Sequence, residues 1–295
     1  MCCLAGMFWA RASAAQQMAI TFDDLPSHGD LPPNETRLQI ANSILATLKA
    51  QHLPPVFGFF NGEKVEKEPA TESVLKAWRD AGQPLGNHSW AHIDNNDLSA
   101  AEFEAEIAKN EALLKKYMAG EDWHWFRYPY LHEGDTLNKR RAVRAWLEPR
   151  GYRVAQVNMD FEDYLWNAPY ARCVAKHDDA AIARLHDSYL ATADQFITVF
   201  REASRMVYGR DVKYVLLMHV GAFDAKMLPD LLALYRAKGF SFISLAEAQR
   251  DPAYRDDPDI ASKDGGALLE LMAQRRKLKF PPNSKPYQEL EDTCK

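Results

Sequence analysis

Seven short apolar runs rich in β-forming residues punctuate this 295-residue chain, at 19–22, 56–60, 84–88, 124–127, 153–157, 214–219 and 241–244. Between most of them lies a stretch with helical spacing. Leu38, Ala41, Leu45 and Leu48 form one apolar stripe; Val74, Leu75 and Trp78 form another, followed by Gly82 where a left-handed cap would end the helix. Ser99 and Glu102 have the spacing of a capping box, and Phe103, Ile107, Leu114 and Tyr117 then recur at helical intervals. A further stretch runs from Leu231 to Tyr235 and stops at Gly239. Strands alternating with helices imply a parallel sheet with helices packed outside it. Seven such units predict an α/β fold closed, or nearly closed, into a barrel, with a doubly wound open sheet as the alternative.

Two regions stand outside the repeat. Residues 166–210 read as a mostly helical insertion before the sixth strand, and residues 251–295 as a peripheral C-terminal tail around a barrel domain at 16–250. At the N-terminus, Leu4 to Ala10 is apolar and runs into small residues at Ala10, Ala12, Ala14 and Ala15. Residues 1–15 therefore read as an export signal, although no basic residue precedes the apolar stretch. Export places the protein in the periplasm or outside the cell. No apolar run reaches the ~20 residues of a membrane span, so stable membrane insertion is not expected. A net charge of −5 gives no footprint for a nucleic-acid partner. The four cysteines have no C-x-x-C spacing, which argues against a thiolate zinc site. Cys173 and Cys294, the two outside the signal, are able to pair in an oxidising compartment.

Five of the strands lead directly into polar clusters: Thr21-Phe22-Asp23-Asp24, His88-Ser89-Trp90-Ala91-His92, Arg127-Tyr128-Pro129-Tyr130, Asp160-Phe161-Glu162-Asp163-Tyr164 and Leu217-Met218-His219. In barrels of this kind the chemistry sits at the C-terminal strand ends. His88 and His92 are four residues apart after one strand, so both imidazoles can turn to a single point. Asp23 and Asp24 follow the first strand, where adjacent side chains point differently. One carboxylate can then ligate a divalent cation while the other faces water. His-x-x-x-His alone is a weak signal. The paired aspartates at a neighbouring strand end make a hydrolytic metal site the leading reading.

In this order the five clusters resemble the motifs of the polysaccharide deacetylase family, also called carbohydrate esterase family 4 or the NodB-homology domain. The resemblance spans roughly residues 19–245. It implies a distorted (β/α)7 barrel and metal-dependent removal of acetyl groups from sugars, usually N-acetylglucosamine units of a cell-wall or extracellular polysaccharide. It also implies Asp24, His88 and His92 as ligands of Zn²⁺, with Co²⁺ or Ni²⁺ as substitutes, and Asp23 as general base held by Arg127. His219 becomes the acid that protonates the leaving amine, supported by Asp163. The Tyr130 backbone N–H would help hold the oxyanion, while Tyr164 and Leu217 would line the acetyl pocket. Three positions depart from the family pattern: Leu25 and Leu131 replace glycines, and Tyr164 replaces a tryptophan.

Other reactions remain open on the same machinery, namely removal of O-acetyl groups, as from xylan, or hydrolysis of a small or cyclic amide. A glycan-binding module with a dead site is the non-enzymatic alternative, and retention of both Asp23 and His219 argues against it. His28 and His132 lie just downstream of the first and third clusters, in reach of substrate, and read first as loop histidines in contact with water.

Overall fold

A computed structural model describes residues 16–295. The expected export signal lies outside the described residues. Seven strands form one parallel sheet: β1 (Gln16–Leu25), β2 (Phe57–Phe60), β3 (Leu85–Asn87), β4 (Trp125–Phe126), β5 (Arg153–Val154), β6 (Tyr214–His219) and β7 (Phe240–Phe242). Their order is β5-β4-β3-β2-β1-β6, and β7 pairs with the start of β1. After β5 the chain swings away from β4. Met159 then makes a parallel bridge to Leu216 of β6, which closes the sheet on itself. The result is a curled, distorted barrel. β5 is shorter than the apolar run that encodes it because the chain changes pairing partner after Val154.

The central strands are mostly apolar because both faces of the sheet are covered. β2 is buried at every position, as are the last eight residues of β1. The covering helices are α1 (Arg37–Ala50), α2 (Gly62–Lys67), α3 (Glu72–Asp80), α4 (Ala100–Tyr117), α5 (Leu137–Leu147), α6 (Asn167–Ala175), α7 (Asp179–Tyr208), α8 (Ala222–Ala237), α9 (Leu245–Ala248), α10 (Leu268–Arg275) and α11 (Tyr287–Asp292). α4 starts at the expected Ser99–Glu102 capping box, and Gly82 follows α3 with φ +77°. For α1 the buried stripe includes Ile40 and Ile44 and leaves Leu38 only partly covered, so the helix is turned slightly from the predicted face.

The insertion α6–α7 is built into the main core. Leu185, Tyr189, Phe196 and Phe200 pack in the same cluster as Ile20 and Leu216 of the barrel. The C-terminal segment, expected as a peripheral tail, also enters that cluster through Leu268, Leu269, Met272 and Leu290. Four apolar residues in five, from Leu268 to Met272, give α10 a face wide enough to bury. Its far end is fastened twice. Cys294 is disulfide-bonded to Cys173 of α6, with their Cα atoms 5.2 Å apart. Arg172 donates to the carbonyls of Leu290, Glu291 and Thr293 at the end of α11.

Candidate active site

β1 ends at the centre of the barrel mouth and carries both aspartates. Asp23 accepts from Arg127 Nη1 through both oxygens, each at 3.1 Å. Arg127 is itself fully engaged, donating from Nε to the Ala155 carbonyl at 2.6 Å and from Nη2 to Thr21 Oγ1 at 3.1 Å. A planar guanidinium held at every edge fixes its carboxylate in one orientation. Burial pushes the Asp23 pKa up to about 6, and the neighbouring Arg127 guanidinium pulls it down by less.

Asp24 is turned to the other side of the strand, with φ +68°. Its Oδ2 accepts from His28 Nδ1 at 2.7 Å and its Oδ1 from Lys64 Nζ at 3.1 Å. Burial pushes its pKa up, but Lys64 and the His28 hydrogen bond outweigh that and hold it well below the usual carboxylate range. His92 Nε2 lies 3.3 Å from Asp24 Oδ1, and His88 Nε2 lies 4.0 Å from the same oxygen. His88 donates from Nδ1 to the Arg127 carbonyl at 2.8 Å, which leaves Nε2 as a lone pair facing the aspartates. Burial lowers the pKa of both imidazoles, so both are neutral at pH 7.

These donors fit a cation. One ligand atom from each of Asp24, His88 and His92 lies within 4.8 Å of the others. Two ligands about 2.0–2.2 Å from one ion are separated by roughly the spacings seen here. Two neutral imidazoles and one anionic carboxylate suit Zn²⁺, Co²⁺ or Ni²⁺. Lys64 shares Oδ1, yet its other acceptors, the Asp24 and Ser27 carbonyls, anchor the ammonium independently of that oxygen. Asp24, His28 and His219 form a second close group. His219 serves poorly as a ligand there because it holds a proton. Burial lowers its pKa, but the charge of Asp163 and its 2.8 Å hydrogen bond to Nδ1 raise it to about 10.

Strained backbone concentrates around this point. Asp24, Ser89, His92, Tyr130, Leu131 and Glu162 all have φ between +54° and +68°, a region costly for residues with a side chain. Three buried asparagines hold one of these loops. Asn61 donates to the His88 carbonyl at 2.6 Å, Asn87 accepts from Ser89 N–H at 2.9 Å, and Asn110 links Phe60 O, Gly62 N–H and Asn87. No sequence spacing announces this network, since its members lie on β3, α4 and the turn after β2.

A cavity of about 710 Å³ opens above the site, in the range of small-ligand pockets. Asp23, Asp24, His88, His92, Tyr130, Tyr164, Leu217 and His219 all line it. Arg127 and Asp163 lie behind it, buried against Asp23 and His219. Leu217 is buried, while the Tyr130 and Tyr164 rings are exposed at the mouth. His28 and His132 are part-buried. Both line the cavity, His28 between Asp24 and the His219 ring, and His132 donating to Asp94 Oδ2 at 2.7 Å. His28 sits four residues after Asp24, across the turn that follows β1. That short spacing is the one signal that marks it.

Comparison with known proteins agrees with this arrangement. Residues 10–146 match the family model for polysaccharide deacetylase, a stretch that carries the paired aspartates, both histidines and Arg127. Over that stretch, a little under half of its length, the chain is similar to the polysaccharide deacetylase family. Among curated members of the family, it is 27% identical over 148 residues to the peptidoglycan-N-acetylglucosamine deacetylase of Bacillus cereus, a match covering 50% of this chain and 46% of that one. It is also 27% identical over 201 residues to the peptidoglycan-N-acetylglucosamine deacetylase PgdA of Listeria monocytogenes, covering 67% of this chain and 38% of that protein. The chain thus spans less than half the length of these curated relatives. The solved chitin deacetylase of the fungal pathogen Colletotrichum lindemuthianum superposes with a TM-score of 0.56 at 20% identity, over 80% of this chain and 88% of that one. A carbohydrate esterase family 4 pseudoenzyme from Bacillus anthracis gives a TM-score of 0.54 at 16% identity, over 79% and 65% of the two chains. Both likenesses show the same fold, a curled parallel sheet wrapped by helices.

Proposed function

We propose that this protein is a metal-dependent carbohydrate N-deacetylase that hydrolyses the acetamide of N-acetylated sugars in a cell-wall or extracellular polysaccharide. The observation that carries the reading is the pair of opposed proton carriers beside the ligand set. Asp23 is a buried carboxylate gripped by Arg127, and His219 is a part-buried imidazolium gripped by Asp163. When bound at Asp24, His88 and His92, a divalent cation supplies Lewis-acid polarisation of the acetyl carbonyl and acidifies water.

The chain's own groups do the rest. Asp23, pushed up to about 6, is ionised at neutral pH yet basic enough to take a proton from the attacking water. His219, at about 10, is protonated at neutral pH and delivers its proton to the departing sugar nitrogen. Amide hydrolysis needs this acid because an amine anion is a very poor leaving group. Leu217 and Tyr164 wall the space for the acetyl methyl, and the Tyr130 backbone N–H serves the developing oxyanion.

A glycan-binding pseudoenzyme on the same fold is the rival reading. It has no use for a base and an acid held in such fixed geometry. Export to an oxidising compartment forms part of the proposal and is supported by the Cys173–Cys294 bond. No helix among the described residues is long and apolar enough to cross a membrane. The test is acetate release from the zinc-loaded protein across N-acetylglucosamine oligomers, peptidoglycan and acetylated xylan. Release from the first two supports the reading. Release from xylan alone would make it an O-acetyl esterase, and release from none would leave the binding module.

A further inference from the structure

We propose that residues 265–285, outside the barrel, form a glycan-binding wall of the cleft and hold the sugar unit next to the acetylated one through Glu270 and Gln274. This rests on the deacetylase reading above. The segment crosses one whole side of the mouth. At its start, Ser262 N–H bonds to the Gly134 carbonyl at 3.1 Å and Asn96 Nδ2 donates to the Lys263 carbonyl at 2.8 Å. At its end, Lys285 Nζ pairs with Glu162, and Tyr287 OH donates to Glu162 Oε2 at 2.7 Å. The first anchor is on the loops around Tyr130, and the second is on the loop that carries Asp163.

Close approach is built into the sequence. A Cβ on Gly265 would lie 2.7 Å from the Tyr130 carbonyl oxygen and 2.4 Å from the His132 ring, and Gly265 has φ +65°. Only glycine lets the backbone run so near the reacting end of the cavity. From there α10 divides its faces. Leu268, Leu269 and Met272 go to the core, while Glu270, Leu271 and Gln274 line the cavity. Leu268 N–H bonds to the Val157 carbonyl at 2.7 Å, which sets the helix directly on the barrel rim.

The face toward the cavity suits a pyranose. Leu271, buried at the cavity lining, contributes apolar character there, flanked by a carboxylate and an amide able to bond hydroxyls. Glu270 uses Oε2 to accept from Ala267 N–H at 2.8 Å, so its carboxyl is oriented before any ligand arrives. Leu217, Tyr164 and His219 of the barrel and Glu270, Leu271 and Gln274 of α10 line one cavity of about 710 Å³, which has more room than one acetyl group fills.

The variants Glu270→Gln, which keeps an oxygen for Ala267 N–H, Gln274→Ala and their combination test this. Thermal midpoints within a few degrees of the parent establish that they fold. In the zinc-loaded Asp23→Asn background, where turnover is suppressed, calorimetric affinity for the N-acetylglucosamine tetramer should fall roughly tenfold in the double variant, the size of one or two lost hydrogen bonds. In the otherwise native enzyme, the ratio of kcat/KM for the tetramer to that for a small aryl acetate should fall by a similar factor. Unchanged tetramer affinity, or no tetramer binding by the parent, would overturn the wall. Tetramer binding that weakens in the variants while the native enzyme releases no acetate would uphold the wall and refute the deacetylase reading.

Discussion

His219 and Asp163 are joined twice: Asp163 Oδ1 lies 2.8 Å from His219 Nδ1, and its Oδ2 accepts the His219 backbone N–H at 2.7 Å. Asp163 is fully buried, so the pair is screened little by water. This double contact sets the imidazole with Nε2 pointing away from Asp163 and stabilises its protonated form.

A pH profile reads this relationship directly. In the proposed mechanism His219 is the acid, so activity should be retained below its pKa of about 10 and lost as pH rises through it. In Asp163→Asn the main influence raising that pKa is gone while burial still lowers it. The alkaline limb should move to lower pH, and kcat should fall by roughly 10²-fold. Stability follows the same sign. Because the folded pKa lies above the unfolded value of 6.5, this pair's contribution is full below about pH 6.5 and fades as pH rises toward 10. An alkaline limb unmoved by Asp163→Asn would assign it to another group.

His28 and Asp24 give a second prediction. The 2.7 Å bond from Nδ1 orients the carboxylate without supplying a ligand to the Asp24, His88 and His92 set. His28→Phe should weaken zinc binding about 10- to 100-fold, read by competition with a chromophoric chelator. Zinc affinity equal to the parent's would show that Asp24 is held well enough by Lys64 alone.

Stability should depend on Asn110, which is fully buried and does not line the cavity. Asn110→Ala leaves the Gly62 N–H, inside the molecule, without its partner and takes from the Phe60 carbonyl one of its two donors, the other being the His88 N–H. Denaturant unfolding should register a loss of about 2–4 kcal/mol. The His88 loop rests on the same network, so zinc affinity should fall as well. A loss below 0.5 kcal/mol would mean that water replaces the amide.

Much of this site is legible in the sequence because barrel chemistry collects at strand ends. Asp23, Asp24, His88, Arg127 and His219 each end or directly follow an apolar β-rich run, and the closed sheet brings those ends together. Residues acting from behind the site carry no such mark. Asn61, Asn87 and Asn110 look like ordinary polar residues until the turn after β2 and helix α4 pack against β3. The C-terminal segment is harder still, since its tie to the cleft is a Lys285–Glu162 pair 123 residues apart. Its charged composition suggests a solvated tail. The apolar residues from Leu268 to Met272 are the one local sign of its burial.

The most direct test of the account separates Asp23 from Asp24. Each is changed to Asn, and acetate release from an N-acetylglucosamine oligomer is followed while zinc is titrated in. Asp24→Asn loses an anionic ligand, so its zinc affinity should drop and added zinc should restore part of the rate. Asp23→Asn keeps the ligand set but loses the base, so zinc should bind as in the parent while turnover falls by roughly 10²-fold or more and does not recover with zinc. Equal zinc affinity in the two variants, or full rescue of Asp23→Asn by zinc, would contradict the assignment of ligand and base.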